Sequence, residues 1–234
     1  MSAIYKKELR QYFHSVIGYA FLAIFLFVCG YFFSLNSLLY RSGDISTLFQ
    51  SVVTVLMYLI PILTMRSFAE EKKIKTEQLL LTAPVSTTHI VLGKFLAAMS
   101  VFGIGLAVTL IYPVIIAIYG RFELWITLGN YLAVLLLVGA FVSIGVFVSA
   151  ITENQVVAAI LSYVVLFGLW FSSFMAGSVQ SPLVMAILRG ISLFQRFYEL
   201  SMGIFNPASV VFYVSIIFVF LFLTVRVLES RRWN

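Results

Sequence analysis

The pair Gly93–Lys94 in "VLGKFL" (91–96) is what a phosphate-gripping loop would use. Such a loop also needs an upstream glycine to bend around the phosphates and a following Ser or Thr for magnesium, and neither is present. His14 and His89 have no cysteine or second histidine at metal-ligand spacing. No H-E-x-x-H, G-x-S-x-G or paired-cysteine motif occurs. Cys29 stands alone in an apolar run, with Val28 where a lipoprotein cleavage box wants a small residue; it reads as a packed or lipid-facing small residue. Glu153, in the turn "ITENQ", is the one carboxylate an intramembrane enzyme could use, and its setting reads as a solvated turn.

Chemistry of another kind is concentrated in "FAEEKKIKTEQLLLTAPVS" (68–86). This stretch holds six charged residues, Glu70, Glu71, Lys72, Lys73, Lys75 and Glu77, of 15 basic and 9 acidic residues in all. Ser67 and Glu70 have capping-box spacing, so a helix is predicted from there to Thr82, ending before Pro84. "STT" (86–88) then caps the next helix. Leu79, Leu80 and Leu81 give this lever an apolar patch among charges, as a docking surface requires. Packing of those leucines beneath the membrane spans is the plain alternative.

The elements that must position this block follow from composition. The 234 residues are 62% hydrophobic and 10% charged, far below the roughly 25% of a soluble domain. Crossing a hydrocarbon core of about 30 Å takes roughly 20 apolar residues. Spans are predicted at Val16–Leu39, Thr47–Met65, Phe95–Tyr119, Leu124–Ala150, Gln155–Met175 and Ala208–Val225, with Pro61 and Pro113 as kinks. The fold class is therefore all-α, a polytopic membrane protein of one domain over 1–234. In the turn after the fourth span, Thr152 and Gln155 form a second capping-box pair.

Basic residues set the orientation. With the N-terminus inside, 11 of the 15 lie on the cytoplasmic side, which places both termini and segment 66–94 there. The net charge of +6 is spread over run ends rather than gathered in a nucleic-acid patch. Residues 1–15 read as an interfacial amphipathic helix, with Tyr5, Leu9, Tyr12, Phe13 and Val16 on one face and Lys6, Lys7 and Arg10 turned away. A span through 176–207 would bury Arg189, Arg196 and Glu199, and one Arg costs about 2.5–3.5 kcal/mol at a helix centre. Two short outer-side helices fit instead. The first is capped at Ser181–Pro182 and stopped at Gly190; the second carries Leu193, Phe197, Leu200 and Ile204 on its apolar face. The small-xxx-small pairs Gly139–Ser143 and Gly145–Ser149 suit close helix packing or a dimer contact.

The string "RSFAEEKKIKTEQLLLTAPVSTTHIVLGKFLA" resembles the cytoplasmic segment of type-2 ABC transporter permeases. The matching elements are Ser67–Glu71, Thr76–Pro84 and Val91–Lys94, and the likeness extends over nearly the whole chain. It is most similar to the permease subunit of gliding-motility-type bacterial ABC systems. The resemblance implies a multi-pass protein of the bacterial inner membrane, an ATP-driven exporter subunit, acting as a dimer with a second copy or a homologous permease. It further implies a separate cytoplasmic ATPase that holds ATP and Mg²⁺, no cofactor and no catalytic residue on this chain, and membrane lipids but no nucleic acid as further partners. Its contact elements would be the N-terminal helix and the segment after the second span, here Tyr5, Lys6, Leu9, Glu70, Glu71, Lys72, Glu77, Leu79, Leu80, Leu81 and Pro84. A membrane scaffold that anchors partners without transporting is the rival function.

Overall fold

The computed structural model describes residues 2–39, 45–76, 85–119, 123–175, 190 and 192–233. Among them the chain is helical and forms no strand. Helix α1 (Ser2–His14) leads into α2 (Val16–Phe33), which continues as a wider π turn over Ser34–Leu39. Then come α3 (Ile45–Thr64), α4 (Arg66–Lys73), α5 (Thr87–Val108), α6 (Ile111–Tyr119) and α7 (Leu124–Ile151). The chain ends with α8 (Gln155–Met175), α9 (Leu193–Ser201) and α10 (Pro207–Trp233). Among the described residues six stretches are long and apolar enough to cross a membrane: Val16–Asn36, Ile45–Lys73, Thr87–Ile118, Leu124–Ile151, Gln155–Met175 and Pro207–Arg231.

Helix α7 is the axis. It is apolar on every side because it is surrounded on every side, by α3, α4, α5, α8, α9 and α10. In its most apolar window 83% of residues are buried, against 22% for α8 and for α10. Gly139, Ser143, Gly145 and Ser149 all lie on this axis. Their packing is within the chain: a Cβ on Gly139 would meet Ile217 Cδ1 at 2.8 Å, and one on Gly145 would meet Thr64 Oγ1 at 2.1 Å.

Local chemistry explains most breaks. Ser15 is extended and separates α1 from α2, so Val16 leaves the amphipathic face and is 81% exposed. Pro113 cannot donate to the Thr109 carbonyl. The third span turns at Thr109–Leu110, and the Tyr131 hydroxyl donates to Thr109 O at 2.8 Å instead. Helix α3 runs through Pro61 to Thr64, and Met65, whose amide bonds to Pro61 O at 2.8 Å, joins it to α4. Ser86 caps α5, accepting from the His89 amide, as expected. The turn before α8 differs from its prediction: Thr152 Oγ1 donates back to Val148 O, and Asn154 Oδ1 accepts from the Val156 amide. Asparagine is the better cap, since its carbonyl reaches the second amide of the helix.

At nine residues α9 is too short to cross a bilayer. Ser192 caps it, and Leu193, Phe197 and Leu200 are buried as predicted, whereas Ile204 lies past the helix end and is exposed. The cap at Ser181–Pro182 falls outside the described residues.

Candidate functional site

The polar block begins as α4, which the α3 helix enters after one turn at Met65. Its Met65 carbonyl and two amides are claimed by one side chain. Ser149 of α7 accepts from Phe68 N at 3.0 Å and Ala69 N at 3.1 Å, and donates to Met65 O at 2.9 Å. That serine satisfies the groups a helix start leaves unpaired, so neither Ser67 nor Glu70 caps α4. Lys72 Nζ donates to the Ala150 carbonyl, placing a cation at the C-terminal end of α7 where the helix dipole favours it. Gly145, one turn away, lets α3 approach to contact. Helix α4 is thus latched to α7.

A buried charge cluster fastens α4 to two more elements. Lys94 of α5 is 2% exposed. Its ammonium lies 2.9 Å from Glu71 Oε2 and 3.0 Å from Glu8 Oε1, donates to Ser67 O at 2.6 Å, and stands 4.9 Å from the centre of the Phe68 ring. Lys7 of α1 closes the group at 3.0 Å from Glu71 and 3.5 Å from Glu8. Two cations face two carboxylates, so the cluster is neutral. Burial alone would lower the Lys7 pKa, but the Glu71 and Glu8 carboxylates outweigh it and hold the ammonium above its ordinary 10.5. Beside it Tyr12 donates to Leu63 O at 3.2 Å; burial pushes its hydroxyl up to about 12, so it stays a donor. Helix α1 also lies on α5 directly. Tyr5 pairs with Ser100 at 2.9 Å, and a Cβ on Gly93 would meet Ile4 Cγ2 at 2.9 Å.

The expected contact residues therefore divide. Lys6 is exposed, Leu9 packs partly buried against the core, and Tyr5 is engaged with α5. Glu70 pairs with Arg66 at 2.7 and 3.0 Å on the half-buried flank of α4. The resemblance puts Glu71 in the ATPase contact; in the structure it is 7% exposed and turned inward to Lys94 and Lys7. The α4 helix also stops at Lys73 rather than Thr82. Thr76 N bonds to Glu71 O and Lys75 N to Lys72 O, with Lys75 at φ 59: a Schellman ending carried by lysine in place of glycine. Glu77, Leu79, Leu80, Leu81 and Pro84 lie outside the described residues.

Sequence reading missed Glu8, the capping role of Ser149, which it read only as a small packing residue, and the partners of Lys94. Glu8 left a signal: it stands three residues after Tyr5 and four before Tyr12, so a carboxylate sat on the apolar face. Ser149 left none beyond being small.

At the opposite end a second node forms without charge. Asn130 Nδ2 donates to Ser201 O at 2.9 Å and to Ser46 Oγ at 3.2 Å, and Ser46 donates to Ser201 O at 3.2 Å. It joins α7, α3 and α9. A family model described as ABC-2 family transporter protein matches residues 2–227. No curated protein matches the chain.

Proposed function

The chain belongs to the ABC-2 family of transporter proteins and is a multi-pass membrane component of an ABC transporter; from that premise we propose that it is the permease subunit of an exporter, driven through segment 66–94 by a separate ATPase. The observation that carries this is the neutral charge cluster. It joins α1, α4 and the start of α5 into one stiff head beneath the spans, with α4 continuous with α3 and latched to α7. A subunit that converts an external push into motion of its helices requires such a head. Two copies, or this chain and a homologous permease, would form the path. The head would face the cytoplasm with both termini, in a bacterial inner membrane, and the ATPase would hold ATP and Mg²⁺. A gliding-motility-type system is the setting the sequence likeness favours.

Docking is assigned to Leu79–Leu81, with Glu70 and Glu77 beside them. Burying a leucine is worth roughly 1.5–3 kcal/mol, an exposed ion pair about 0–1 kcal/mol. Leu79→Ala with Leu80→Ala should leave the permease inserted but reduce recovery of its ATPase on co-purification. Undiminished recovery would refute this docking site. A non-transporting scaffold would retain the complex yet show no ATP-dependent flux in proteoliposomes.

A further inference from the structure

The apolar stripe of α1 is spent inside the protein rather than on the membrane. Ile4 lies where a Cβ on Gly93 of α5 would touch it, Tyr5 pairs with Ser100, and Glu8 and Tyr12 are buried. Turned this way, α1 shows the outside its other face, which carries Lys6, Arg10 and His14, all exposed. The spacing i, i+4, i+8 sets them in one row about 12 Å long. Among the described residues none of the three has a hydrogen bond or an ion pair. Glu8, the one acid of α1, points the opposite way, to Lys94. The row is positive charge without counter-charge.

Beside the row the surface turns apolar. Phe13 follows Arg10 by three residues and so flanks the row, and its ring meets Tyr19 of α2 edge to face, centres 5.7 Å apart. The chain folds back closely to allow this: a Cβ on Gly18 would meet Tyr12 O at 2.5 Å. Above that contact α2 shows Val16, Tyr19, Ala23 and Phe27 outward, with Val16 81% and Phe27 74% exposed. Phe21, Phe25, Cys29 and Phe33 are buried on its other side. A tyrosine at the base of an apolar strip marks the level where hydrocarbon gives way to headgroups. The cationic row leaves the strip at that level.

Three kinds of occupant can be weighed against this surface. A second copy meeting it about a two-fold axis would set the cations of one α1 against those of the other. An acidic protein surface would match the row but not the apolar strip that runs on into the membrane. An amphiphile with an anionic head matches both. We infer that the Lys6–Arg10–His14 face of α1 seats the phosphate of an anionic phospholipid whose tails lie along Val16, Tyr19 and Phe27. Arg10 suits a phosphodiester because its guanidinium offers two parallel donors, while Lys6 adds a mobile point charge. The site needs only α1 and the first span, and it stands whether or not the chain transports.

The test uses the full-length chain, delipidated in neutral detergent and mixed with equal amounts of phosphatidylglycerol and phosphatidylcholine bearing the same tails. Native mass spectrometry counts the lipids retained. One Lys or Arg near an anionic membrane surface is worth about fivefold in affinity, and two about 25-fold. Lys6→Gln with Arg10→Gln should therefore cut the preference for phosphatidylglycerol by about 25-fold, while Lys6→Arg with Arg10→Lys should keep it. A preference that survives the glutamine pair, or is lost in the charge-keeping pair, would overturn the site. So would an equal fall in Lys73→Gln with Lys75→Gln, which removes the same charge from the exposed end of α4. Tyr19→Ala should lower retention of both lipids, and glycerol phosphate, an anion without tails, should not displace phosphatidylglycerol at equal concentration. Displacement would reduce the row to a free-phosphate site and overturn the lipid. If the glutamine pair keeps its phosphatidylglycerol but loses its ATPase on co-purification, the row is a protein contact instead.

Discussion

The head around Lys94 and the node around Asn130 solve one problem with different chemistry. Each ties three elements together across long sequence separations. The head does so with two ammoniums and two carboxylates, the node with an amide, a hydroxyl and a carbonyl. A buried charge that loses its partner is penalised by several kcal/mol, whereas a neutral hydrogen bond contributes about 0.5–1.5 kcal/mol net. The head therefore resists separation steeply and the node gently. A molecule pushed at the head would move that end as a block and yield at the other.

The sharpest way to break the comparison is Lys94→Met. It leaves Glu8 and Glu71 buried with only half-exposed Lys7 to face them, and should cost about 3–5 kcal/mol. Thermal unfolding in detergent, followed by circular dichroism, should show the largest drop of any single change. Adding Glu8→Gln and Glu71→Gln removes the stranded charges and should recover most of the loss. No recovery would mean that the cluster's shape, not its charge, holds the head.

Gly145→Ala comes next. Its new methyl would collide with Thr64, and overpacking of this kind costs about 1–3 kcal/mol. Thr64→Ala in the same chain removes the Oγ1 contact but leaves the Thr64 Cβ position at 2.8 Å, so it should recover only part of the loss, and no recovery at all would remove the α3–α7 crossing from the argument.

Asn130→Ala tests the compliant end and should cost only about 1–2 kcal/mol, since Ser46 still serves the Ser201 carbonyl. A loss as large as that of Lys94→Met would erase the distinction between the two ends.

The smallest effect belongs to Lys7, half exposed and so screened to about 0–1 kcal/mol. Its folded pKa is raised above 10.5, so its stabilisation is complete below the unfolded value and is lost as pH rises through the folded one. Unfolding temperatures above pH 10.5 should fall less in Lys7→Met than in the parent chain.

Much of this arrangement is written in single residues. Span length is a property of apolar run length, so the six spans were readable from composition alone. Ser86 as a cap and Pro113 as a break depend on neighbours within four residues, and these too were readable. The end of α4 was hidden because Lys75 takes the left-handed conformation that glycine normally advertises.

What the sequence by itself determined is which groups need partners: a lysine at 94 entering a span and a carboxylate at 8 on an apolar face. Only the tertiary structure decided who the partners are. Lys94 and Glu8 are 86 residues apart, and Ser149 meets Phe68 across 81. Local propensity acts over one or two turns of helix, whereas burial and charge pairing act through space, and space is set by how the helices pack around α7.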